Sequence, residues 1–205
     1  MNRISAASLA VFGLCAAGVS GVALADNPVG FYLGAGVGEG GIRNDGYYYN
    51  NYYGYHDYQT AWKLIAGLRP IAPIGAELEY IDFGRAYNNS NYYYGGNYFN
   101  NSSTDDKATA LFAVGYLPLP IPFLDVYGKA GVARLESSTT TYYNSCQYCG
   151  YPGASYRNDS WTTNFAYGAG VQTKWGGLAL RGEYERISAS NGDPDALTVS
   201  VTWTF

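Results

Sequence analysis

The end of the chain alternates strictly between large apolar side chains and small or polar ones. In residues 196–205 the large apolar side chains are Leu197, Val199, Val201, Trp203 and Phe205. The small or polar ones between them are Ala196, Thr198, Ser200, Thr202 and Thr204. Because successive side chains of a β-strand point to opposite faces, this pattern predicts a strand with one apolar face and one polar face. The apolar face has to be covered by protein or by lipid, and that requirement constrains the fold more than any other feature.

The same alternation recurs seven times upstream. The segments are 31–38, 62–69, 75–80, 107–116, 126–133, 164–172 and 178–185. Together with the last segment they predict eight strands of about ten residues, the length that a tilted strand needs to cross a bilayer. Residues 26–205 contain no apolar run that approaches the ~20 residues of a transmembrane helix.

The predicted connections alternate in length. Short turns fall at 70–73, 117–123 and 173–177, whereas long loops fall at 39–58, 84–105 and 136–159, with a shorter one at 188–195. Short turns at one end and long loops at the other are typical of outer-membrane barrels. We therefore predict an all-β fold, an eight-stranded antiparallel up-and-down transmembrane β-barrel, with its long loops outside the cell. The competing fold is a soluble lipocalin-like barrel, with apolar side chains inside and polar ones outside.

Charged residues within the strands predict which face is inside. Lys129 and Arg181 lie near the middle of their strands, where a lipid-facing cation costs roughly 2–4 kcal/mol. We therefore place both inside and expect the apolar partners to face outward in every strand. Aromatic residues near strand ends suit the two interfacial girdles: Phe31, Trp62, Tyr80, Tyr116, Trp161, Trp175 and Trp203.

The N-terminus has the pattern of an export signal. Arg3 precedes the apolar segment 4–21, and Ala23-Leu24-Ala25 is a small-x-small cleavage site. We expect residues 1–25 to be a cleaved signal peptide and residues 26–205 to form the barrel domain; an uncleaved signal anchor is the alternative. The chain has 12 Lys and Arg against 16 Asp and Glu, and this acidic balance argues against a nucleic-acid partner.

Several strand motifs resemble those of a known family. The motifs Gly115-Tyr116-Leu117-Pro118, Leu124-Asp125-Val126-Tyr127-Gly128-Lys129 and Leu180-Arg181-Gly182-Glu183-Tyr184 resemble strands of the OmpA transmembrane domain, OmpX and opacity-type porin-like proteins. The resemblance implies a barrel in the outer membrane, surrounded by its lipid and lipopolysaccharide. Because the sequence ends at Phe205, we expect the barrel alone, without a peptidoglycan-binding domain.

The terminal aromatic residues Trp203 and Phe205 resemble the signal that the outer-membrane assembly machinery reads. This resemblance implies two kinds of partner during biogenesis, the barrel-assembly machinery and periplasmic chaperones.

Inward charges form the first candidate site, consisting of Glu77, Glu79, Lys129, Arg181 and Glu183. The family resemblance implies an ion-pair network that plugs the barrel and acts as a candidate gate. Gln172 stands where the family often has a second acid, and Ala113 where a Lys occurs. The alternative is that these charges only fill the narrow interior of an eight-stranded barrel, where buried charges have to be paired in any case.

The predicted loops are rich in Tyr and Asn, and Tyr52, Tyr53, Tyr93 and Tyr94 are the candidate binding residues. Rigid amphipathic rings among small polar residues resemble the composition of binding loops. This composition predicts a surface adhesin or receptor for a host or surface ligand. The alternative is sequence drift on a tolerant scaffold, with the Tyr rings settling into lipopolysaccharide.

Cys146 and Cys149 are the only thiols outside the predicted signal peptide, and an oxidising compartment favours a disulfide between them. Zinc needs four ligands, and His56 is the single histidine, so a metal site is the weaker alternative.

The Gly36–Gly41 segment matches the glycine spacing of a dinucleotide-binding motif, but no helix is predicted after it, so the structural context of that motif is missing. We predict no metal and no cofactor.

Catalysis is not expected. His56 lies in the predicted Tyr- and Asn-rich loop with Asp57 beside it, and adjacent residues of an extended chain point to opposite faces, so they do not form a dyad. The sequence thus predicts a structural or porin-like barrel with at most a small gated conductance, and the alternative is an adhesin or receptor that acts through its loops.

Overall fold

A computed structural model describes residues 30–48, 51–92, 98–143, 154–189 and 193–205. They form eight antiparallel strands: β1 Gly30–Tyr48, β2 Asn51–Ile71, β3 Ile74–Tyr92, β4 Tyr98–Leu117, β5 Leu124–Tyr143, β6 Ala154–Trp175, β7 Leu178–Ser188 and β8 Asp195–Thr204. Each strand pairs with its neighbours in sequence, and β8 pairs back onto β1 to close the barrel. The predicted fold class is confirmed. In these residues there is no helix of the length and hydrophobicity that a membrane crossing requires.

Six of the strands are longer than a bilayer requires. Pairing of β1 with β2 continues to Tyr48 and Asn51, that of β3 with β4 to Tyr92 and Tyr98, and that of β5 with β6 to Tyr143 and Ala154. The expectation that residues 39–58, 84–105 and 136–159 are long loops is therefore wrong for most of these segments. Tyr and Thr favour strands when they find cross-strand partners, so the segments extend the sheet as three hairpins. We call this the hairpin end of the barrel and the opposite end the turn end.

Seven strands face as expected, but β4 faces the other way. Phe112 and Val114 are each only 2% exposed inside the barrel, whereas Leu111 is 55% exposed on its outer surface. Tyr116, expected in the outer aromatic girdle, is also inside, where its ring lies 5.5 Å from that of Tyr127. The prediction failed because both faces of β4 are apolar, so that the alternation alone does not decide which of them faces lipid.

The outer surface carries a belt of exposed aliphatic and aromatic side chains. Members on successive strands are Leu33, Leu64, Leu78, Leu111, Val132, Phe165, Tyr184 and Leu197, all at least 43% exposed. An apolar surface of this extent has to be covered by lipid or by another protein. The belt is outside, and charges in the middle of the strands such as Lys63, Lys129 and Arg181 are inside. The arrangement is therefore the reverse of a soluble lipocalin-like barrel, and we call this belt the lipid belt.

The interior has three layers along the barrel axis. Near the hairpin end, Ile81, Phe83, Leu135 and Ile187 pack with a ring of alanines in a buried apolar cluster, which we call the apolar layer. Below it lies a group of buried charged side chains, which we call the ion layer. At the turn end, Arg69, Asp125 and Lys174 form a smaller charged cluster.

Candidate functional site in the barrel interior

The ion layer brings seven charged side chains together from four strands. They are Lys63 of β2, Glu77 and Glu79 of β3, Lys129 of β5, and Arg181, Glu183 and Glu185 of β7, each at most 4% exposed. Alternate residues of one strand share a face, so β3 and β7 each project their acidic residues inward as a column. Five of the seven are the sequence-predicted residues, and Lys63 and Glu185 extend the network.

Lys129 is the central cation of the layer. Its Nζ lies 2.6 Å from Glu79 Oε1 and 3.3 Å from Glu183 Oε1, and it also contacts Glu185. Lys63 forms a second centre, with its Nζ 2.5 Å from Glu185 Oε1 and in contact with Glu183. Lys129 is thus shared between carboxylates of β3 and β7, and Lys63 connects β2 to β7, so the network ties opposite walls of the barrel together.

Arg181 links the two acidic columns. Its guanidinium lies 2.8 Å from Glu77 Oε1 and 2.9 Å from Glu183 Oε1, and its Nε donates to the Tyr127 hydroxyl at 2.9 Å. The guanidinium carbon is also 4.6 Å from the centre of the Tyr127 ring. The planar guanidinium holds its N–H donors in fixed directions, so Arg181 orients both carboxylates as well as neutralising them. The ammonium of a lysine at this position would supply the charge without this directionality.

Two buried tyrosines complete the network, and sequence reasoning missed both. Tyr32 donates to Glu77 at 2.5 Å, and Tyr127 donates to Glu183 at 2.5 Å. Each ring lies over a glycine that is its register partner on the next strand, Gly67 for Tyr32 and Gly170 for Tyr127. A Cβ on Gly67 would come within 2.1 Å of the Tyr32 ring, so the glycine is required for this contact.

The signal for these tyrosines is present in the sequence. Tyr32 and Tyr127 both stand at inward positions of their strands, in segments that are otherwise rich in glycine. An inward aromatic residue opposite a glycine is a known way of filling space in a curved sheet. The pairing register, which the sequence does not state, is what identifies the partner glycines.

The ion layer contains four carboxylates and three cations, and its acids differ in how well they are satisfied. Glu183 has contacts with Lys63, Lys129, Arg181, Tyr127 and Ser200. Glu79 has one short contact, to Lys129, and its Oε2 lies 3.7 Å from Lys63 without a hydrogen bond.

Carboxylate oxygens of Glu77, Glu79 and Glu183 lie within 4.8 Å of one another, a spacing at which acids can hold a metal ion. All three, however, already form ion pairs with the lysines or the arginine of the layer. Basic side chains thus occupy the position next to these acids that a metal ion would take, and the donor set fits an ion-pair network better than a metal site.

The turn-end cluster explains the position of Gln172. Asp125 accepts from Gln172 Nε2 at 2.8 Å and pairs with Arg69 at 2.9 Å and Lys174 at 3.0 Å. Gln172 therefore supports this cluster instead of standing in for an acid of the ion layer. Ala113 lies on the outer face of β4, so the expectation that it occupies an interior Lys position is wrong.

Exposed charges surround the strands of the hairpin end beyond the lipid belt. Arg85 pairs with Asp105 at 2.7 Å, and Arg157 pairs with Asp159 at 2.9 Å. The hydrogen bond from Ser138, followed by that from Arg157, holds the pKa of Asp159 below its usual range. Asp106 faces inward at the same end, and burial raises its pKa.

Other predicted site residues lie at the ends of the barrel. Trp203 and Phe205 are at the turn end, 52% and 77% exposed, and the Phe205 amide donates to the Phe31 carbonyl of β1 at 2.9 Å. Tyr52, Tyr53 and His56 lie in β2, with side chains outside the described part of the structure. The remaining predicted residues fall outside the described residues altogether: Tyr93, Tyr94, Cys146, Cys149 and the predicted signal peptide 1–25.

A closed eight-stranded antiparallel barrel with an outer lipid belt and a charged interior defines the class of transmembrane β-barrels. Residues 6–205 match the family model described as "Outer membrane protein beta-barrel domain", so the chain belongs to this family of outer-membrane barrels. The suspected resemblance and the outer-membrane class are thereby confirmed.

The solved structures that share this fold include Ail and OprG. Ail, the attachment invasion locus protein of Yersinia pestis, is 13% identical with a TM-score of 0.54, covering 86% of this chain and 99% of Ail. The outer membrane protein OprG from Pseudomonas aeruginosa is 12% identical with a TM-score of 0.54, covering 88% of this chain and 98% of OprG. At these identities the similarity shows the fold alone. No curated protein sequence matches the chain significantly.

Proposed function

We propose that this protein is a structural, porin-like barrel of the outer membrane that is closed at rest and has at most a small gated conductance. The observation that carries the proposal is the ion layer, in which seven charged side chains from four strands meet at no more than 4% exposure. An eight-stranded barrel leaves an interior just wide enough for its side chains, and here large side chains fill it.

Two features of the interior oppose ion passage. The ion layer has to break several ion pairs before it opens. The side chains that define the apolar layer above it are hydrocarbon, so they cannot replace the hydration shell of an ion. Phe83 and Ile187 are each 1% exposed in that layer. Hydrophobic constrictions close pores by excluding water, so the apolar layer is a second barrier in series with the first.

The orientation belongs to the same proposal. Residues 1–25 serve as a cleaved signal peptide, the assembly machinery reads Trp203 and Phe205, and the hairpin end faces outward. Support for the orientation comes from the unequal ends of the barrel, since outer-membrane barrels keep short turns on the periplasmic side. The proposed role is non-enzymatic.

Liposome swelling tests the closed state. Mature protein, residues 26–205, is refolded into liposomes, and the permeation of small sugars is followed by light scattering. We expect swelling no faster than in protein-free liposomes, with insertion verified by the gel shift of the folded barrel. Rapid swelling of wild-type liposomes would show an open pore and would overturn the proposal.

A second candidate function is surface binding by the three hairpins. The length of the hairpins favours this function. Glu39 lies at the edge of the lipid belt, and β1 remains paired with β2 from there to Tyr48. At about 3.3 Å per residue such a hairpin rises well beyond a membrane surface. The Tyr-rich segments, including the candidates Tyr52 and Tyr53, are thereby displayed away from the lipid.

Trimming the hairpins tests the binding function. Residues 45–54 and 89–101 are each replaced by an Asn-Gly turn, which joins register partners and preserves the barrel. If the hairpins bind a surface ligand, bacteria that display the trimmed protein attach less to cultured cell monolayers than those with the full-length protein. Equal attachment at equal surface expression would exclude binding by these two hairpins, which contain the candidate residues Tyr52, Tyr53, Tyr93 and Tyr94.

A further inference from the structure

The outer surface between β3 and β6 has a groove of about 290 Å³ at the upper edge of the lipid belt. Its lining includes Tyr80, Lys107, Thr109, Arg134, Glu136 and Trp161. Directly below it runs an apolar row of register partners, Leu78, Leu111, Val132 and Phe165, each more than half exposed. The groove thus lies where the hydrocarbon ends and the lipid headgroups begin.

The height of Arg134 agrees with this placement. It stands ten residues along β5 from Leu124, where the strand begins at the turn end. With a rise of about 3.3 Å per residue and a tilt of about 40°, this distance corresponds to ~25 Å along the membrane normal. The lipid-facing apolar band of outer-membrane barrels is about 25 Å tall, so the guanidinium lies at its boundary.

Among the described residues at this level, Arg134 is the cation without an acidic partner. The register partners in its row are Thr109 on one side and Thr163 on the other, and within the described residues no carboxylate lies in ion-pair distance of its guanidinium. By contrast, Lys107 is 4.0 Å from Asp82, and Arg186 is 2.7 Å from Asp193. Glu136 lies one row further from the membrane than Arg134, beside Lys107.

The other walls of the groove suit a lipid headgroup. Tyr80 packs against Trp62 with their ring centres 5.4 Å apart, and Trp161 is 55% exposed on the opposite side. Tyr and Trp prefer the membrane interface, where one side of the ring is apolar and the other is wet. Thr109 and Thr163 add hydroxyl donors next to the guanidinium.

We propose that this groove, centred on Arg134, binds the phosphate of a lipid headgroup. Guanidinium and phosphate match in geometry, since two parallel N–H donors meet two phosphate oxygens. The acyl chains of the same lipid cover the apolar row below, which a free phosphate ion would leave exposed. With the hairpin end outward, as proposed above, the lipid is the phosphorylated lipid A of the outer leaflet.

Native mass spectrometry of the refolded barrel in a neutral detergent tests the site, with lipid A as the probe. We expect Arg134→Gln to weaken the binding of the first lipid A about tenfold, as for the loss of one charge-assisted hydrogen-bonded pair. Arg186→Gln is the matched control, because it removes an arginine at the same level that already has a partner. The control should bind within about twofold of wild type. Dephosphorylated lipid A should bind wild type as weakly as lipid A binds the Arg134 variant.

Three results would overturn the assignment. They are wild-type affinity in the Arg134 variant, equal binding of the dephosphorylated lipid, and displacement of lipid A by excess inorganic phosphate, which would identify a free-anion site. Arg134 is exposed and outside the ion layer, so the variant is expected to fold, and the gel shift verifies this. The site does not depend on conductance, and a negative result leaves the proposal of a closed barrel standing.

Discussion

The carboxylates of the ion layer differ in how many cations and hydroxyl groups each of them contacts. Glu183 is held by two lysines, an arginine and two hydroxyl groups, whereas Glu79 has one short contact, to Lys129. Burying a carboxylate costs several kcal/mol, and only its partners offset that cost. The contribution of each acid to stability should therefore follow its partners, even though both side chains are fully buried.

Neutral variants of these acids test this point. We expect Glu183→Gln to lower the free energy of unfolding by about 3–5 kcal/mol, because it leaves Lys63 and Arg181 poorly compensated. Glu79→Gln should cost less than half as much. Urea unfolding from liposomes measures both, and Glu136→Gln, an exposed acid, is the control. Equal losses in the two buried variants would contradict the ranking by partners.

Glycine at position 170 provides the second test at the residue scale. A Cβ there would lie 2.5 Å from the Tyr127 hydroxyl, whereas a Cβ at Gly182 meets nothing within 4 Å. We expect Gly170→Ala to destabilise the barrel by about 1–3 kcal/mol by displacing Tyr127 from Glu183. Gly182→Ala should be close to neutral in the same unfolding assay. If both variants behave alike, the tyrosine is not held by this contact.

Strand β4 shows that the alternation of apolar and polar residues does not always predict which face of a strand points toward lipid. In β8 one face is large and apolar and the other small and polar, so its orientation follows from the sequence. In β4, Leu111 and Phe112 are both apolar, and the nearest charge, Lys107, lies at the edge of the lipid belt with a half-exposed side chain. The orientation is decided by packing against β3 and β5, and pairing register is not readable from a single strand.

The same limit applies to the three hairpins. Their Tyr, Asn, Gly and Ser content is shared by loops and by twisted strand pairs, so composition did not distinguish them. The five predicted residues of the ion layer could be selected because mid-strand charges are costly in lipid. The two tyrosines stand at inward positions, but their place in the network depends on the pairing register with Gly67 and Gly170, which the sequence of a single strand does not show.

A lysine scan on the outer face tests the orientation of β4. Leu111→Lys places a cation in the middle of the lipid belt and should lower the free energy of unfolding by about 2–4 kcal/mol. Thr109→Lys, on the same face but at the belt edge, should cost ~0–1 kcal/mol. Unfolding from phosphocholine liposomes measures both. A tolerated lysine at position 111 would mean that this residue faces the interior.

For the whole molecule, the arrangement of the layers is more informative than any single contact. The ion layer connects β2, β3, β5 and β7, and the apolar layer closes the barrel above it with Ile81, Phe83, Leu135 and Ile187. Opening one layer leaves the other in place. This arrangement accounts for a barrel that has a charged interior and is nevertheless closed.

Single-channel recording of four refolded proteins in planar bilayers tests the two-layer closure most directly. They are wild type, Arg181→Ala in the ion layer, Phe83→Ser with Ile187→Ser in the apolar layer, and the combination of all three substitutions, with folding verified by gel shift. The two layers predict silence or rare small steps in the first three proteins and sustained conductance in the fourth. Sustained conductance in Arg181→Ala alone, equal to that of the combined variant, would contradict the account and leave the ion layer as the sole gate.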